Sequence, residues 1–144
     1  ELDKSIIIEF KKNKKKVLFV CDNEQISRVF FNLIKNSIES IQEKYSENPD
    51  FVKKIDIDII DKSDYIDFII VDNGKGFGFF ANRIKDILNP YFTTKKKGSG
   101  LGLSIVNKII NDHNGEINFE PQEDGAKIII KFSRNANWNF NYWW

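Results

Sequence analysis

Strand-like and helix-like segments occur in groups along this chain, and their order constrains the fold more than any other feature of the sequence. Alternating apolar and polar runs come in pairs separated by helix-like stretches, in the order β β α β β α α β β. This order favours an α+β two-layer sandwich, with a mixed sheet covered on one face by about three helices. Strands are predicted at residues 4–10, 16–20, 54–61, 65–71, 116–120 and 126–132, and helices at about 22–45, 80–88 and 101–113.

The first two predicted strands flank a basic segment, residues 11–15, and are interpreted as a hairpin with a lysine-rich tip. The helix that follows has a capping box, because Asp22 is a favourable N-cap and Gln25 stands three residues later. Asn114 and Gly115 end the last predicted helix.

Composition excludes several classes of protein. The 144 residues contain 22 Lys and Arg against 21 Asp and Glu, and this balance argues against a dedicated nucleic-acid partner. Cys21 and His113 are the only cysteine and histidine, which excludes internal disulfides and metal sites built from several histidines or thiolates.

The sequence has neither an apolar run of about 18 residues nor a signal peptide, so we expect a cytoplasmic domain. It also lacks methionine, and we expect it to be a piece of a longer protein.

We expect one domain over residues 1–134, followed by an aromatic tail, residues 135–144, which holds all three tryptophans. Such dense aromatic residues suit a docking surface for a partner, another domain or a membrane interface. They equally suit a last segment that folds back over the domain's own sheet. The role of the tail stays open.

Asn32, Asn36 and Glu39 mark a polar stripe on the first predicted helix. At about 100° per residue, Asn36 and Glu39 fall within roughly 40° of Asn32. Two carboxamides one turn apart with a nearby carboxylate form an oxygen-rich patch, and Mg²⁺ accepts such ligands together with waters and phosphate oxygens. A polar stripe is also the ordinary pattern of a surface helix, and both interpretations stay open.

A second group, Asp72-Asn73-Gly74-Lys75-Gly76, stands where a predicted strand ends. Its glycines allow a sharp turn and a close approach to a ligand, and its carboxylate can accept a hydrogen bond from an amino group. An ordinary turn or a calcium loop has a similar sequence. The further alternating ligands of an EF-hand are missing, which disfavours calcium.

A third group, residues 93–103, is basic and rich in glycine and opens a predicted helix. Backbone amides at a helix N-terminus and nearby lysines favour phosphate binding. The spacing is not that of a Walker A loop. A flexible lysine loop with a glycine hinge is the alternative.

Together these groups resemble the four boxes of sensor histidine kinases. Residues 32–40 are similar to the N box, 72–76 to the G1 box, 90–95 to the F box and 98–103 to the G2 box, in the right order and spacing. The resemblance implies the Bergerat ATP-binding fold, which gyrase B, Hsp90 and MutL share. The Thr-Thr-Lys ending of the F box and the form of the N box look most like the NtrY/NtrB nitrogen-regulation branch.

The resemblance implies a role for each matching residue. Asn36 matches the asparagine that binds Mg²⁺, Asn32 faces the phosphates, and Asp72 matches the aspartate that recognises the adenine amino group of ATP. Residues 89–100 match the mobile ATP lid. Gly74 and Gly76 are implied to shape the base pocket, and Phe77 and Thr94 are implied to take part in nucleotide binding. Lys95, Gly98, Gly100 and Gly102 are implied to approach the phosphates. Leu101 and Leu103 are implied to line the site while they anchor the lid and the following helix. Glu39 is either part of the metal surroundings or a solvated carboxylate at the mouth of the site.

The resemblance also implies an activity: transfer of the γ-phosphoryl group of ATP to a histidine. An asparagine cannot accept a proton at neutral pH, so Asn32 favours keeping ATP intact for transfer over hydrolysing it. Asn32, Asn36 and Lys95 are the candidate catalytic residues, which position and neutralise phosphate charge. His113 matches a turn after the G2 box and is interpreted as a structural helix-end residue.

The acceptor histidine is therefore expected on a helical dimerisation domain absent from this sequence, which makes the full-length protein a homodimer. A response-regulator receiver domain is the expected second partner, and the parent protein is expected to be an inner-membrane sensor. Three alternatives stay open: an ATPase of the gyrase or Hsp90 kind, a serine kinase of the same fold, and a nucleotide-sensing module. Leu88 and Asn89 depart from the usual F box, and Gly78 replaces a common proline.

Overall fold

The computed structural model describes residues 5–11, 16–77, 86, 88–89 and 102–134. We number its helices and strands in chain order. The strands are β1 (Ile7–Phe10), β2 (Lys54–Lys62), β3 (Tyr65–Asp72), β4 (Gly115–Pro121) and β5 (Ala126–Ser133), and the helices are α1 (Asn23–Glu47) and α2 (Gly102–Asp112). The helix predicted at 80–88 lies almost wholly outside the described residues.

The strands form one mixed sheet in the order β1-β2-β3-β5-β4. β1 pairs with β2 in parallel, while β2–β3, β3–β5 and β4–β5 are antiparallel pairs. Short connections at residues 63–64 and 122–125 join β2 to β3 and β4 to β5, which are antiparallel neighbours. The structure thus confirms the α+β class and the mixed sheet.

The predicted hairpin between residues 4–10 and 16–20 is wrong. β1 pairs with β2, and residues 16–20 form no strand. These residues still alternate in burial, because Phe19 packs against Phe68 and Phe132 with ring centroids 6.4 and 4.8 Å apart. The alternation therefore reflects packing across the covered face of the sheet instead of pairing with a neighbouring strand.

Among the described residues, the core lies between one face of the sheet and the helices α1 and α2. Along β5, every second residue faces the helices and is at most 5% exposed, while the residues between them are half-buried. The opposite face carries charged pairs such as Lys127 and Glu120, whose charged atoms are 3.0 Å apart. The buried core residues include Ile26, Val29, Leu33 and Ile41 of α1, Val106 and Ile110 of α2, and Ile128, Ile130 and Phe132 of β5.

A hydrogen-bonded histidine joins the two helices. The side-chain oxygen of Asp22 accepts the Gln25 backbone N–H at 3.0 Å, which confirms the predicted N-cap of α1. His113 follows α2 and is 3% exposed. Its Nε2 accepts the backbone N–H of Asp22 at 3.2 Å, so the proton is on Nδ1, which donates to the Ile109 backbone oxygen at 2.8 Å. This arrangement confirms the helix-end role predicted for His113.

We expect His113→Phe to lower the free energy of unfolding by about 1–3 kcal/mol, because the Asp22 N–H loses its side-chain partner and the Ile109 carbonyl keeps only the backbone N–H of residue 113. Urea unfolding of both proteins measures the difference. The control is Asp112→Asn, which breaks an exposed pair with Lys108 and is expected to cost about 0–1 kcal/mol. Equal stability of wild type and His113→Phe would contradict the role of this bridge.

Candidate nucleotide-binding site

Asn32 presents its side-chain oxygen toward the start of α2. Its side-chain nitrogen donates to the Arg28 backbone oxygen at 2.9 Å, which fixes the orientation of the amide. A Cβ built on Gly102 would lie 3.3 Å from the Asn32 oxygen, so the glycine leaves room for this close approach. Asn36, one turn later on the same stripe, is half-buried. The structure thus brings two predicted residues, Asn32 and Gly102, together.

The N-terminus of α2 lies beside the Asn32 side chain. Its first N–H groups have no partners within the helix and attract anions. Leu103, the second residue of α2, packs against the hydrophobic core, as expected of a residue that anchors this helix. The helix N-terminus therefore offers hydrogen-bond donors, and the Asn32 amide beside it offers an oxygen ligand.

Asp72 ends β3 and is 4% exposed. Its two carboxylate oxygens accept separate hydrogen bonds: Oδ2 from the Ser37 hydroxyl at 2.8 Å, and Oδ1 from the Gly74 backbone N–H at 3.0 Å. Each oxygen retains a further lone pair for a ligand, because a carboxylate offers about four acceptor sites. Burial raises the pKa of Asp72 above its ordinary value, whereas the Ser37 and Gly74 hydrogen bonds and the charge of Lys44 lower it.

The glycines after Asp72 approach the protein's own backbone. A Cβ on Gly74 would lie 2.8 Å from the backbone nitrogen of Ile41 on α1. A Cβ on Gly76, whose φ is +70°, would lie 2.4 Å from the backbone oxygen of Gly125. Glycine is therefore required for the loop to pack between α1 and the β4–β5 turn. The role of Gly74 and Gly76 in a base pocket stays a prediction.

Side chains on both sides hold this loop in place. Asn73 Oδ1 accepts the backbone N–H of Lys54 at 2.9 Å. The Lys75 ammonium donates to Glu43 at 3.1 Å and to Glu47 at 2.7 Å, both on α1. The position of Asp72 is thus fixed by the helix that also carries Asn32 and Asn36.

A cleft of about 430 Å³ opens between the loop and the β4–β5 turn. It is lined by residues 74–77 and 121–125, with Lys44 on its wall. Phe77 packs edge-on against Phe119 with ring centroids 5.4 Å apart, so its aromatic ring closes the core beside the cleft.

The predicted site residues divide into two groups. Asn32, Asn36, Glu39, Asp72, Gly74, Gly76, Phe77, Gly102 and Leu103 are described by the structure. Thr94, Lys95, Gly98, Gly100 and Leu101 lie outside the described residues and stay predictions. Glu39 is half-buried, and its carboxylate lies 3.9 Å from the Lys35 ammonium.

Sequence reasoning missed Ser37, Lys44 and Gly125. Ser37 stood on the apolar side of the predicted helix, and a hydroxyl in such a position is itself a signal of a buried polar partner. Lys44 and Gly125 gave no comparable signal, because their contacts with the loop after Asp72 join distant parts of the chain.

The part of the chain that the structure describes holds no cluster of three or more His, Cys, Asp or Glu side chains suited to a metal ion. A magnesium ion would be held by the hard amide oxygen of Asn36, the predicted ligand, with phosphate oxygens and waters as further ligands. This donor set fits Mg²⁺ bound together with a nucleotide.

Residues 21–136 match the family model described as histidine kinase-, DNA gyrase B- and HSP90-like ATPase. The chain belongs to this family. The match confirms the predicted superfamily and supports ATP as the ligand of the domain.

Relatives of this family member include a putative NtrY-like sensor histidine kinase of Rickettsia felis, 39% identical over 132 residues that cover 91% of this chain and 21% of that protein. The histidine kinase/phosphatase NtrB of Rhizobium leguminosarum is 30% identical, with 81% of this chain and 32% of that protein covered. These matches confirm the predicted resemblance to the NtrY/NtrB branch. The chain spans about a fifth of the length of the first of these relatives.

Solved structures of the family share the fold. The catalytic domain of histidine kinase ThkA in one nucleotide-free form is 32% identical with a TM-score of 0.63, covering 78% of this chain and 68% of that chain. Histidine kinase AdeS of Acinetobacter baumannii is 25% identical with a TM-score of 0.69, covering 92% of this chain and 56% of that chain. These matches confirm the predicted two-layer architecture.

Neither described helix of this family member has the length and apolar character needed to cross a membrane.

We expect the stability of the wild type to fall relative to that of Asp72→Asn as the pH rises. Because the folded-state pKa of Asp72 is raised above its ordinary value of 3.8, ionisation costs more in the folded chain than in the unfolded chain. The stabilising contribution of Asp72 is complete below the unfolded pKa and is lost as the pH rises through the folded pKa. Urea unfolding of both proteins from about pH 4 to 8 tests this sign, and a pH-independent difference would contradict it.

Proposed function

We propose that this chain is the ATP-binding catalytic domain of a two-component sensor histidine kinase. It binds Mg-ATP and supplies the γ-phosphoryl group to a histidine on a dimerisation domain outside this sequence. The observation that carries the proposal is the buried bond of Asp72 to Ser37 of α1, together with Asn32 of the same helix, which lies beside Gly102 at the start of α2. The names of the NtrY-like and NtrB relatives support it.

Asp72 recognises the adenine amino group in this proposal. The remaining lone pairs of its carboxylate accept the amino hydrogen bond, and the Ser37 and Gly74 donors hold the carboxylate at a fixed orientation. Gly74, Gly76 and Phe77 shape the pocket around the base. Recognition by a buried, prearranged acceptor favours adenine over bases that lack an amino group at this point.

Asn32, Asn36 and the α2 N-terminus bind the triphosphate. The Gly102 region offers backbone N–H groups, and the two asparagines offer amide oxygens, with Asn36 as the magnesium ligand. When bound, Mg²⁺ neutralises phosphate charge and helps to align the γ-phosphoryl group for in-line transfer. Glu39 lies on the same stripe, where it orders water around the phosphates.

Asn32 directs this site toward transfer instead of hydrolysis. A carboxamide has no basic group to remove a proton from water at neutral pH. Its amide nitrogen is already bonded to Arg28, so the oxygen orients a ligand without activating a nucleophile. The nucleophile then comes from the acceptor histidine.

The remaining parts of the proposal concern the whole protein. Residues 1–134 form the catalytic domain and 135–144 a separate tail. A histidine-bearing acceptor domain passes the phosphoryl group to a receiver domain, and the full-length protein is a homodimer. The catalytic domain lies on the cytoplasmic side of a membrane sensor. Thr94, Lys95, Gly98, Gly100 and Leu101 act in the ATP lid, with Lys95 on the phosphates.

We expect Asn36→Ala and Asp72→Ala each to weaken Mg²⁺-dependent ATP binding at least about tenfold, equivalent to about 1.4 kcal/mol. The first variant loses a metal ligand and the second loses the base acceptor. Isothermal titration calorimetry with and without Mg²⁺ measures both effects.

The matched controls for these variants are Asn118→Ala and Asp58→Ala, which alter the same residue types on strands of the sheet face away from the helices. Both are expected to bind ATP as the wild type does. Unchanged affinity in Asn36→Ala and Asp72→Ala would overturn the assignment of the site.

Phosphoryl transfer is tested by mixing the chain and radiolabelled ATP with a dimerisation domain from an NtrY-like relative. We expect label on that domain that is lost in acid and retained in base, as phosphohistidine requires. Acid-stable label would favour a serine kinase, and steady phosphate release without the acceptor would favour an ATPase. The matched control is an acceptor domain whose histidine is replaced by glutamine.

A further inference from the structure

Leu18 and Val20 form an exposed apolar surface at one end of the helix layer. Between them, Phe19 points inward and packs against Phe132 on the covered face of the sheet, with ring centroids 4.8 Å apart. The alternation turns Leu18 and Val20 outward, where they are 66% and 73% exposed. Two neighbouring aliphatic side chains exposed to this degree are a candidate docking surface.

Arg134 fixes the end of β5 beside this surface. Its guanidinium donates to the Leu18 backbone oxygen at 2.9 Å and to the Asp61 carboxylate at 2.8 Å. Its backbone N–H donates to the Asp64 backbone oxygen at 2.8 Å, next to the antiparallel pairing of β5 with β3. Residue 135 therefore follows a residue that is joined to Leu18 by a single side chain.

The alternating pattern of β5 continues in the sequence beyond Ser133. Within β5 the even-numbered residues, such as Ile130 and Phe132, face the helices, and the Arg134 side chain keeps this parity because it reaches Leu18. The aromatic tail, residues 135–144, lies outside the described residues. Its even positions begin with Ala136, Trp138, Phe140 and Tyr142, and asparagine occupies each odd position from 135 to 141.

Strict alternation of this kind predicts an extended segment with one aromatic side and one polar side. The aromatic side has the parity of the residues that face the helices. An extended chain advances about 3.3–3.6 Å per residue, so Trp138 can lie up to about 14 Å from Arg134. The surface formed by Leu18 and Val20 is within this reach.

We propose that the aromatic tail folds over the surface formed by Leu18 and Val20 and packs Trp138 and Phe140 against it. The tail is the occupant that fits, because it starts beside this surface and carries its aromatic side chains on the matching side. The asparagine side then faces water. Residues 16–20 lead into the Asp22 cap of α1, so the docked tail supports the start of the helix that carries the candidate site. This inference goes beyond the proposed function and does not depend on ATP binding.

Tryptophan fluorescence reports on the tail alone, because the tail holds all three tryptophans of the chain. Trp143→Phe and Trp144→Phe leave Trp138 as the single reporter in the full chain. In this background we expect Leu18→Ser with Val20→Ser to raise the acrylamide quenching constant at least about twofold and to shift the emission to longer wavelength, because the indole loses its apolar cover.

The matched control is Val52→Ser in the same background. Val52 is 65% exposed and lies beside the start of β2, at the opposite end of the sheet from Arg134. Its substitution is expected to leave the quenching unchanged. Because Leu18 and Val20 are exposed, their double variant is expected to keep the wild-type circular dichroism. Equal quenching of the double variant and the unsubstituted background would overturn the inference.

A disulfide test separates docking within one chain from other occupants of the surface. Phe140→Cys is combined with Leu18→Cys in a Cys21→Ser chain, and oxidised glutathione serves as the oxidant. We expect a bond within one chain that forms at least about tenfold faster than with Lys62→Cys, because docking raises the effective concentration at residue 18. Lys62 lies at the same end of the sheet but follows Asp61, whose side chain meets Arg134 on the covered face, so its own side chain belongs to the open face.

Equal rates of disulfide formation at residues 18 and 62 would overturn docking on this face. Disulfide-linked dimers in place of the bond within one chain would overturn the proposal in favour of the tail of a second copy. Protection of Trp138 from acrylamide that appears only with vesicles of phosphatidylglycerol and phosphatidylethanolamine would overturn it in favour of a membrane.

Discussion

The hydrogen bond between Ser37 and Asp72 is the interaction on which the rest of the site depends. It joins the middle of α1 to the end of β3, two elements that meet through the core, and it is buried. An unpaired carboxylate in this position would carry a large desolvation cost. Since Gly74 supplies the second donor, the same loop that turns the chain away from the sheet also satisfies the carboxylate.

Satisfying Asp72 in this way restricts the residues around it. The loop turns close enough to α1 that a side chain at Gly74 would strike the backbone at Ile41. The β4–β5 turn comes equally close, because a Cβ on Gly125, at φ +99°, would collide with the Asp72 backbone oxygen. Gly74 and Gly76 resemble part of a ligand-binding motif, but the packing of the protein without a ligand already requires glycine at both positions. Stability and the proposed nucleotide recognition both require glycine at Gly74 and Gly76.

Structural features that depend on residues close together in the chain could be predicted from the sequence. The Asp22 cap, the antiparallel strand pairs and the placement of Asp72 at a strand end follow from residues close together in the chain, and the structure agrees. The pairing of β1 did not follow, because residues 16–20 have the same alternating pattern as a strand although Phe19 packs across the sheet. The contact between Ser37 and Asp72 joins residues far apart in sequence. A single sequence shows that both residues are polar, but it does not show that they bond to each other.

α1 determines the geometry of the candidate site as a whole. One face of this helix packs in the core through Val29 and Leu33, while its stripe carries Asn32 and Asn36. Further along, Lys44 contacts the loop that follows Asp72, the proposed base acceptor. Because a helix rises about 1.5 Å per residue, a single rigid element holds the proposed phosphate end and the proposed base end at a fixed separation. Helix packing in the core therefore sets the length of ligand that the site accepts, and a ligand that engages both ends stabilises the helix that spans them.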